Sequence, residues 1–320
     1  GNGGSGIVII RYTPDVTGPA ISSATVTSNG SSLELLFNET LSATTAPANS
    51  FTVSRTLFGG SSDTITVSSL SSSGSTVTLI LASTIFAGDT VTVSYVDPSG
   101  SDDTNALQDL VGNDVASFSN QSVTNNSTEK QSQSPLTITS TTVAYGDDLT
   151  LTTSGGSGTG TLTFDVDTGN CIIQGSTLFS SSVGNCTVTA TKAADTNYLA
   201  ESATAVITIT SGSATLTIAF SSTTFTFGVT NPITVTVSAA GTVRFSANGR
   251  VIKNCKAIST IPNLGIASGG MTYRATCNYR PGTRGPLKIT ARLTPTDLNI
   301  APRSSTSAQF VVLRRTGVRG

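Results

Sequence analysis

Short runs in which apolar and polar side chains alternate constrain this chain more than any other feature. Thr76-Val77-Thr78-Leu79-Ile80-Leu81 and Thr90-Val91-Thr92-Val93-Ser94-Tyr95 show the pattern. Successive side chains of a strand point to opposite faces, so each run offers one face to a core and one to water. Ala24–Val26, Leu33–Phe37, Phe51–Arg55 and Thr64–Ser68 read the same way, punctuated by Gly30, Gly59-Gly60, Gly74 and Gly88-Asp89. So do Leu136–Ile138, Leu149–Thr152, Thr161–Phe164, Cys171–Gln174, Cys186–Thr191 and Ala205–Thr210. Further on, Thr215–Phe220, Ile233–Val237, Val243–Ala247, Tyr273–Tyr279, Leu287–Leu293 and Gln309–Leu313 continue it. Strands this short, separated by turn residues at roughly 8–12-residue spacing, build β-sandwiches. No window sustains a helical period, and no run of about 20 apolar residues is present to span a membrane.

Absent residue types narrow the chemistry. The sequence contains no His and no Trp. Without His there is no Ser-His-Asp triad, no Cys-His pair and no imidazole metal site. Asp165 and Asp167 are the pair one would nominate as glycosidase carboxylates, but two apart on one strand they face the same way and imply no cleft. The tract Ser154-Gly155-Gly156-Ser157-Gly158-Thr159-Gly160-Thr161 lacks the Lys-Ser/Thr of a nucleotide loop and any following helix, so it reads as a turn or loop. The expectation is a protein that is not an enzyme.

Ile7-Val8-Ile9-Ile10-Arg11-Tyr12 has the composition of a buried strand. It lies between a Gly-rich tail, residues 1–6, and a segment broken by Pro14 and Pro19. A lone apolar strand needs a sheet. Three readings stand: a remnant of an upstream domain, a donor strand in which Ile7, Val8, Ile9, Ile10 and Tyr12 complete a neighbour's sheet, or an edge strand of its own domain. The chain starts at Gly1 rather than Met, as expected of a processed or truncated product.

Asp97, Asp102, Asp103, Asp109 and Asp114 crowd into one segment with Asn105 and Asn113. Calcium takes six to eight oxygen ligands, which makes these candidate ligands, although the spacing is not that of an EF-hand. The alternative is turn duty, with Asp103 or Thr104 capping a short helical turn over Asn105–Val111 that Gly112 ends. No other cofactor is expected.

Charge is divided unevenly. Residues 213–320 hold 13 of the 17 Lys and Arg against one carboxylate, Asp297, whereas residues 1–212 hold four bases and 17 acids. This is either drift between unrelated domains or a basic end for an anionic partner: the acidic end of another copy, a glycan, an envelope component or a nucleic acid. Arg244, Arg250, Arg274, Arg280 and Arg284 are the candidate contacts. Few aromatics accompany them, which disfavours single-stranded nucleic acid, whose bases need stacking rings.

Of four cysteines, Cys171 and Cys186 share one stretch and Cys255 and Cys277 another. Three pairings are possible, and one pair per domain, 171–186 with 255–277, is the simplest; free buried thiols are the alternative. Disulfides imply an oxidising compartment.

Several stretches resemble known families. Val77–Ala82, Gly88–Val93, the segment Ser94–Val115 and the closing Val123-Thr124-Asn125-Asn126-Ser127 resemble the SwmB-type repeat of giant cyanobacterial swimming-motility surface proteins. That resemblance implies an Ig-like module at 13–128 in a secreted or surface protein, without catalysis. Leu151–Gly160 and Gly184–Tyr198 are similar to Ig-like repeats of large bacterial exported proteins, which implies a spacer. Gly241–Ile252, Ala275-Thr276-Cys277 and Leu287–Ala291 resemble terminal bacterial Ig-like domains, in which an Asn-Gly hairpin sits beside a disulfide-linked strand pair. Gly3–Tyr12 resembles the closing strand of Gly-rich domains of phage fibres and bacterial surface proteins.

The expected layout is a Gly-rich tail and strand (1–12), a SwmB-type Ig-like domain (13–128), an Ig-like domain with a disulfide (129–212, its first residues 129–135 a polar linker), and a basic Ig-like domain with a disulfide (213–320). The expected role is an extracellular structural subunit of a filament, stalk or sheath, self-associating head to tail by strand donation. The alternative is an adhesin or tail-fibre segment, on a cell surface or virion, that binds an anionic glycan or envelope receptor.

Overall fold

A computed structural model describes residues 7–43, 46–102, 104–263, 271–307 and 309–314. Strands dominate, and one 3-10 turn, Ala48–Ser50, is the helical segment among the described residues. The chain forms two compact units: residues 1–135 with 155–162 and 192–201, and residues 136–154, 163–191 and 202–320. Buried apolar side chains gather in three clusters, one in the first unit and two in the second.

The first cluster lies within β1 (Ile21–Val26), β2 (Ser32–Phe37), β3 (Phe51–Thr56), β4 (Ser62–Ile65), β5 (Val67–Ser73), β6 (Thr76–Leu81), β7 (Thr90–Tyr95) and β8 (Phe118–Asn125). Their lateral order is β4-β3-β7-β8-β1-β2-β6-β5. This is the Ig arrangement: a β1-β2-β6-β5 sheet faces a β4-β3-β7-β8 sheet. The physical cause is the alternation seen in the sequence. On β6, Val77, Leu79 and Leu81 are buried while Thr76, Thr78 and Ile80 are not. Each such aliphatic contributes about 1.5–3 kcal/mol by leaving water. Tyr95 is fully buried, packs on Phe51 and Phe118, and accepts a hydrogen bond from the Leu107 amide at 3.0 Å.

One difference from the sequence reading concerns Thr64–Ser68. The chain breaks strand at Thr66, because β4 pairs with β3 in one sheet and β5 with β6 in the other. Alternation reports a strand but not the sheet it joins.

Around the next cluster, whose buried residues belong to the second unit, run β9 (Thr137–Ile138), β10 (Thr142–Ala144), β11 (Leu149–Thr150), β12 (Thr153–Ser154), β13 (Leu162–Thr168), β14 (Cys171–Gln174), β15 (Thr177–Ser180), β16 (Gly184–Lys192) and β17 (Glu201–Thr210), with Leu162, Lys192 and Glu201 at the boundary assigned to the first unit. They enclose Leu151, Leu178, Val188 and Ile207. Beyond residue 213, one sheet runs in the order Leu216–Phe220, Asn231–Val237, Thr272–Tyr279, Ile261–Asn263. A second runs Arg250–Val251, Gly241–Ala247, Ile289–Pro295, Arg303–Thr306, and the two close over Phe225, Phe245, Ile233 and Leu287.

The same closure recurs at all three clusters. An early strand pairs in parallel with a late one: β1 with β8, β10 with β17, and Phe225–Thr226 with Phe310–Leu313. Parallel neighbours point the same way, so in each cluster this early strand and this late strand run toward the same end. The architecture is that of tandem Ig-like β-sandwiches.

Ile7–Tyr12 joins no strand among the described residues, and Ile7, Val8, Ile9, Ile10 and Tyr12 are each between 75% and 86% exposed. Among the described residues no ladder partner lies beside the segment.

Residues 129–135 are also not a bare linker. Gln131 bridges Tyr198 in parallel, its amide bonding to Asn197 O and its carbonyl to the Leu199 amide, both at 2.8 Å. Gln133 is buried and donates to Leu199 O at 2.7 Å. Gln131 is held by its backbone, whereas Gln133 is held by its side chain, so polar composition alone does not make the stretch a free linker.

Candidate functional site

The acidic segment does not assemble as its spacing suggests. Asp97 accepts from the Ser99 amide, Asp102 from the Asp114 amide, and Asp114 from the Gln108 amide side chain. Asp109 is buried, and its Oδ1 accepts from the amides of Val111, Gly112 and Asn113 while Oδ2 accepts from Asn113 Nδ2 at 2.6 Å. These bonds close a bridged turn, with Gly112 at φ 98°, in place of the helical turn expected over Asn105–Val111. A carboxylate that takes three consecutive amides leaves them none for a helical ladder. Asp103 lies outside the described residues.

The carboxylates brought together are Asp15, Glu39 and Asp109, with oxygens within 4.8 Å of one another. Asp15 arrives because Asn113 Nδ2 donates to its carbonyl at 3.3 Å and its own carboxylate accepts from Thr17. Desolvation, then the charges of Asp15 and Asp109, raise the Glu39 carboxyl above its ordinary value. Burial pushes Asp109 upward too, but its bonds from Asn113, Val111 and Gly112 outweigh that and hold it low. Three such oxygens could supply part of a calcium shell, with carbonyls and water making up the rest. Asp15 and Glu39 escape a sequence reading, since nothing local marks residues so far apart as neighbours.

The basic residues divide into separate places. Arg244 lies on Gly241–Ala247 directly across from Arg292. Arg274 lies on the other sheet, across from Thr236 and Ile261. Arg284 stands over the Phe227 ring at 5.4 Å. Arg250 and Arg280, with Lys253, line a cavity of about 580 Å³.

The cavity's walls follow from local sequence. Asn248-Gly249 forms a tight hairpin with φ 45° and 79°, the left-handed geometry of a type I′ turn. Asn248 Nδ2 donates to Pro286 O, and its Oδ1 accepts from the Lys288 amide, both at 2.8 Å. This pins the hairpin and places Arg250 opposite Ala247. Residues 250–254 form one wall and 278–283 the other. Cys255, which follows the first wall, is bonded to Cys277, which precedes the second, with Cα atoms 5.7 Å apart. Arg280 Nε donates to Gly228 O at 2.7 Å, which orients the guanidinium. Burial raises the Tyr279 hydroxyl pKa, and its ring lies 6.3 Å from that of Phe225. Among the described residues the one salt bridge is Arg55–Asp63, so none of the described carboxylates pairs with the cavity cations.

The other disulfide joins Cys171 to Cys186, with Cα atoms 6.3 Å apart. Asp165 and Asp167 are exposed on β13, and Asp167 accepts from Thr189 Oγ1 at 2.7 Å.

A family model described as a putative flagellar system-associated repeat matches residues 14–100. No curated protein matches the chain. Among solved structures, the chain is similar to the N-terminal part of the bacterial S-layer protein SbsC, at 18% identity over 60% of this chain and 44% of that one, with TM-score 0.28. It thus spans less than half the length of the S-layer chain. It is also similar to Dpr2 Ig1-Ig2 in complex with DIP-Theta, at 10% identity over 92% and 99% of the two chains, with TM-score 0.28. The eight N-terminal Ig domains of Down Syndrome Cell Adhesion Molecule match at 12% identity over 94% and 42%, with TM-score 0.26.

Proposed function

We propose that this chain is a non-enzymatic structural subunit of an extracellular surface assembly, a filament, stalk or sheath, built from three Ig-like modules at 13–128, 129–212 and 213–320. The observation that carries this reading is the apolar run Ile7–Tyr12, exposed and unpaired among the described residues. Five large apolar side chains held in water are costly, and a strand-like run of them fits the open edge of a neighbour's sheet. Such a contact is head to tail, joins unlike surfaces and propagates into open polymers. The parallel pairing of an early strand with a late one in each module is in keeping with serial use. Two disulfides fit an oxidising compartment outside the cytoplasm. The flagellar-system description of the repeat matching residues 14–100 is in keeping with a surface location.

The test is deletion of residues 1–12. Negative-stain imaging is expected to show polymers for the full chain and isolated, folded particles for the deletion. Polymers that survive the deletion overturn strand donation.

A second reading is an adhesin or fibre segment that engages an anionic receptor through residues 213–320. The cavity cations, which have no carboxylate partner among the described residues, favour it.

A further inference from the structure

We infer that the cavity between residues 250–254 and 278–283 binds a carboxylated sugar residue of an acidic polysaccharide. This rests on the second reading above and gives it a site and a ligand class. Three cations face one space: Arg250 and Lys253 from one wall and Arg280 from the other. A guanidinium presents a planar pair of donors that matches a carboxylate, and two of the three cations are arginines. The Gly228 carbonyl holds Arg280 by Nε alone, so its terminal nitrogens are the part of the fork that this bond does not use.

Size and lining decide between ligands. The volume, about 580 Å³, falls inside the roughly 300–1,000 Å³ of small-molecule sites and far exceeds what one inorganic anion fills. Asn254 and Asn278 add amide donors and acceptors suited to hydroxyl groups. Tyr279 adds a half-buried ring, held by Phe225, against which the C–H face of a pyranose can lie. A ligand with one carboxylate, several hydroxyls and an apolar face is a uronate-type sugar. A nucleic acid strand would ask for successive rings, and the cavity offers one. The Cys255–Cys277 bond holds the walls in register, so the site is preformed.

The full chain should be titrated calorimetrically with oligogalacturonate, with its methyl ester and with inorganic phosphate, at physiological ionic strength. Binding of the acid but not the ester is expected. Arg250→Gln and Arg280→Gln should each weaken it roughly tenfold or more, the loss of one charge-assisted hydrogen bond. Arg244→Gln and Arg292→Gln remove the same charge elsewhere and should change it less than about twofold, because distant exposed charges are screened. All four positions are exposed, so the variants should melt like the parent. Equal losses from both pairs overturn the cavity assignment while leaving an anionic partner standing, whereas equal binding of the ester overturns recognition of the carboxylate itself. Binding of phosphate as tight as that of the oligouronate shows a plain anion site and overturns the sugar. No binding of any anionic probe overturns both.

Discussion

Tyr198 donates its hydroxyl hydrogen bond to the carbonyl of Phe58 at 3.0 Å, and the two rings meet edge to face with centroids 6.1 Å apart. Both belong to the first unit, where Tyr198 also bridges Gln131. The ring contact and the hydroxyl bond separate cleanly by substitution. Tyr198→Phe keeps the ring and is expected to cost about 1 kcal/mol, one hydrogen bond. Tyr198→Ala loses the edge-to-face packing as well and is expected to cost about 3 kcal/mol or more. Urea midpoints check the two values, and proteolysis at 129–135 should accelerate in the alanine variant.

Asp195 organises the same corner. Its carboxylate accepts from the Thr159 amide, and then from the Asn197 and Tyr198 amides and the Thr159 hydroxyl, against a smaller opposing effect of burial; the pKa falls from 3.8 to about 2. A depressed folded value means the ionised form favours the fold. That stability is fully present above pH 3.8 and is lost as pH falls through about 2. Asp195→Asn should therefore be less stable than the parent at pH 7 and approach it near pH 2. A constant gap across that range, read from melting curves, would contradict the assignment.

Close approach, rather than phosphate binding, accounts for the glycines opposite Asp195. A Cβ on Gly160 would lie 2.0 Å from the Ala193 carbonyl oxygen, a backbone atom that cannot swing aside. Gly160→Ala is expected to destabilise the first unit by several kcal/mol, whereas Gly175→Ala, where a Cβ meets nothing, should show only the smaller penalty of its φ of 63°. Denaturant midpoints of the two variants make the comparison.

The Cys255–Cys277 bond closes 22 residues, which is worth roughly 3 kcal/mol in the chain-entropy account. Cys255→Ala with Cys277→Ala should lower the stability of the second unit by about that amount. It should also weaken ligand binding at the cavity, since the walls lose their tie. Calorimetric unfolding without reductant, parent against double variant, reads the loss, because reductant also opens Cys171–Cys186 and should lower both proteins.

Glu39 titrates in the opposite sense to Asp195. Its raised folded value means the proton-bound form favours the fold, an advantage complete below its ordinary 4.5 and lost as pH rises through the folded value. Glu39→Gln should therefore stabilise the chain at neutral pH and make no difference in acid. Calcium should raise the parent's melting temperature and leave that of Glu39→Gln nearly unmoved. A melting temperature insensitive to chelator in the parent dismisses the cation site.

Local pattern was enough for the strands whose partners do not matter to their existence. Thr76–Leu81 and Thr90–Tyr95 appear with their expected bounds, since alternation alone tells which side chains leave water. The Asn248-Gly249 turn was legible because few other residue pairs tolerate two positive φ angles. One cysteine pair in each of two stretches likewise left a simplest pairing, and the structure contains it. What tertiary structure alone decided are relations across long separations. It broke Thr64–Ser68 where the chain changes sheets, gathered Asp15, Glu39 and Asp109, and set Arg250 and Lys253 across a cavity from Arg280 while sending Arg244 and Arg274 to different sheets. The physical reason is one of range. Side-chain alternation and turn geometry are properties of neighbouring residues, whereas charges meet only where separate strands are packed over a shared core.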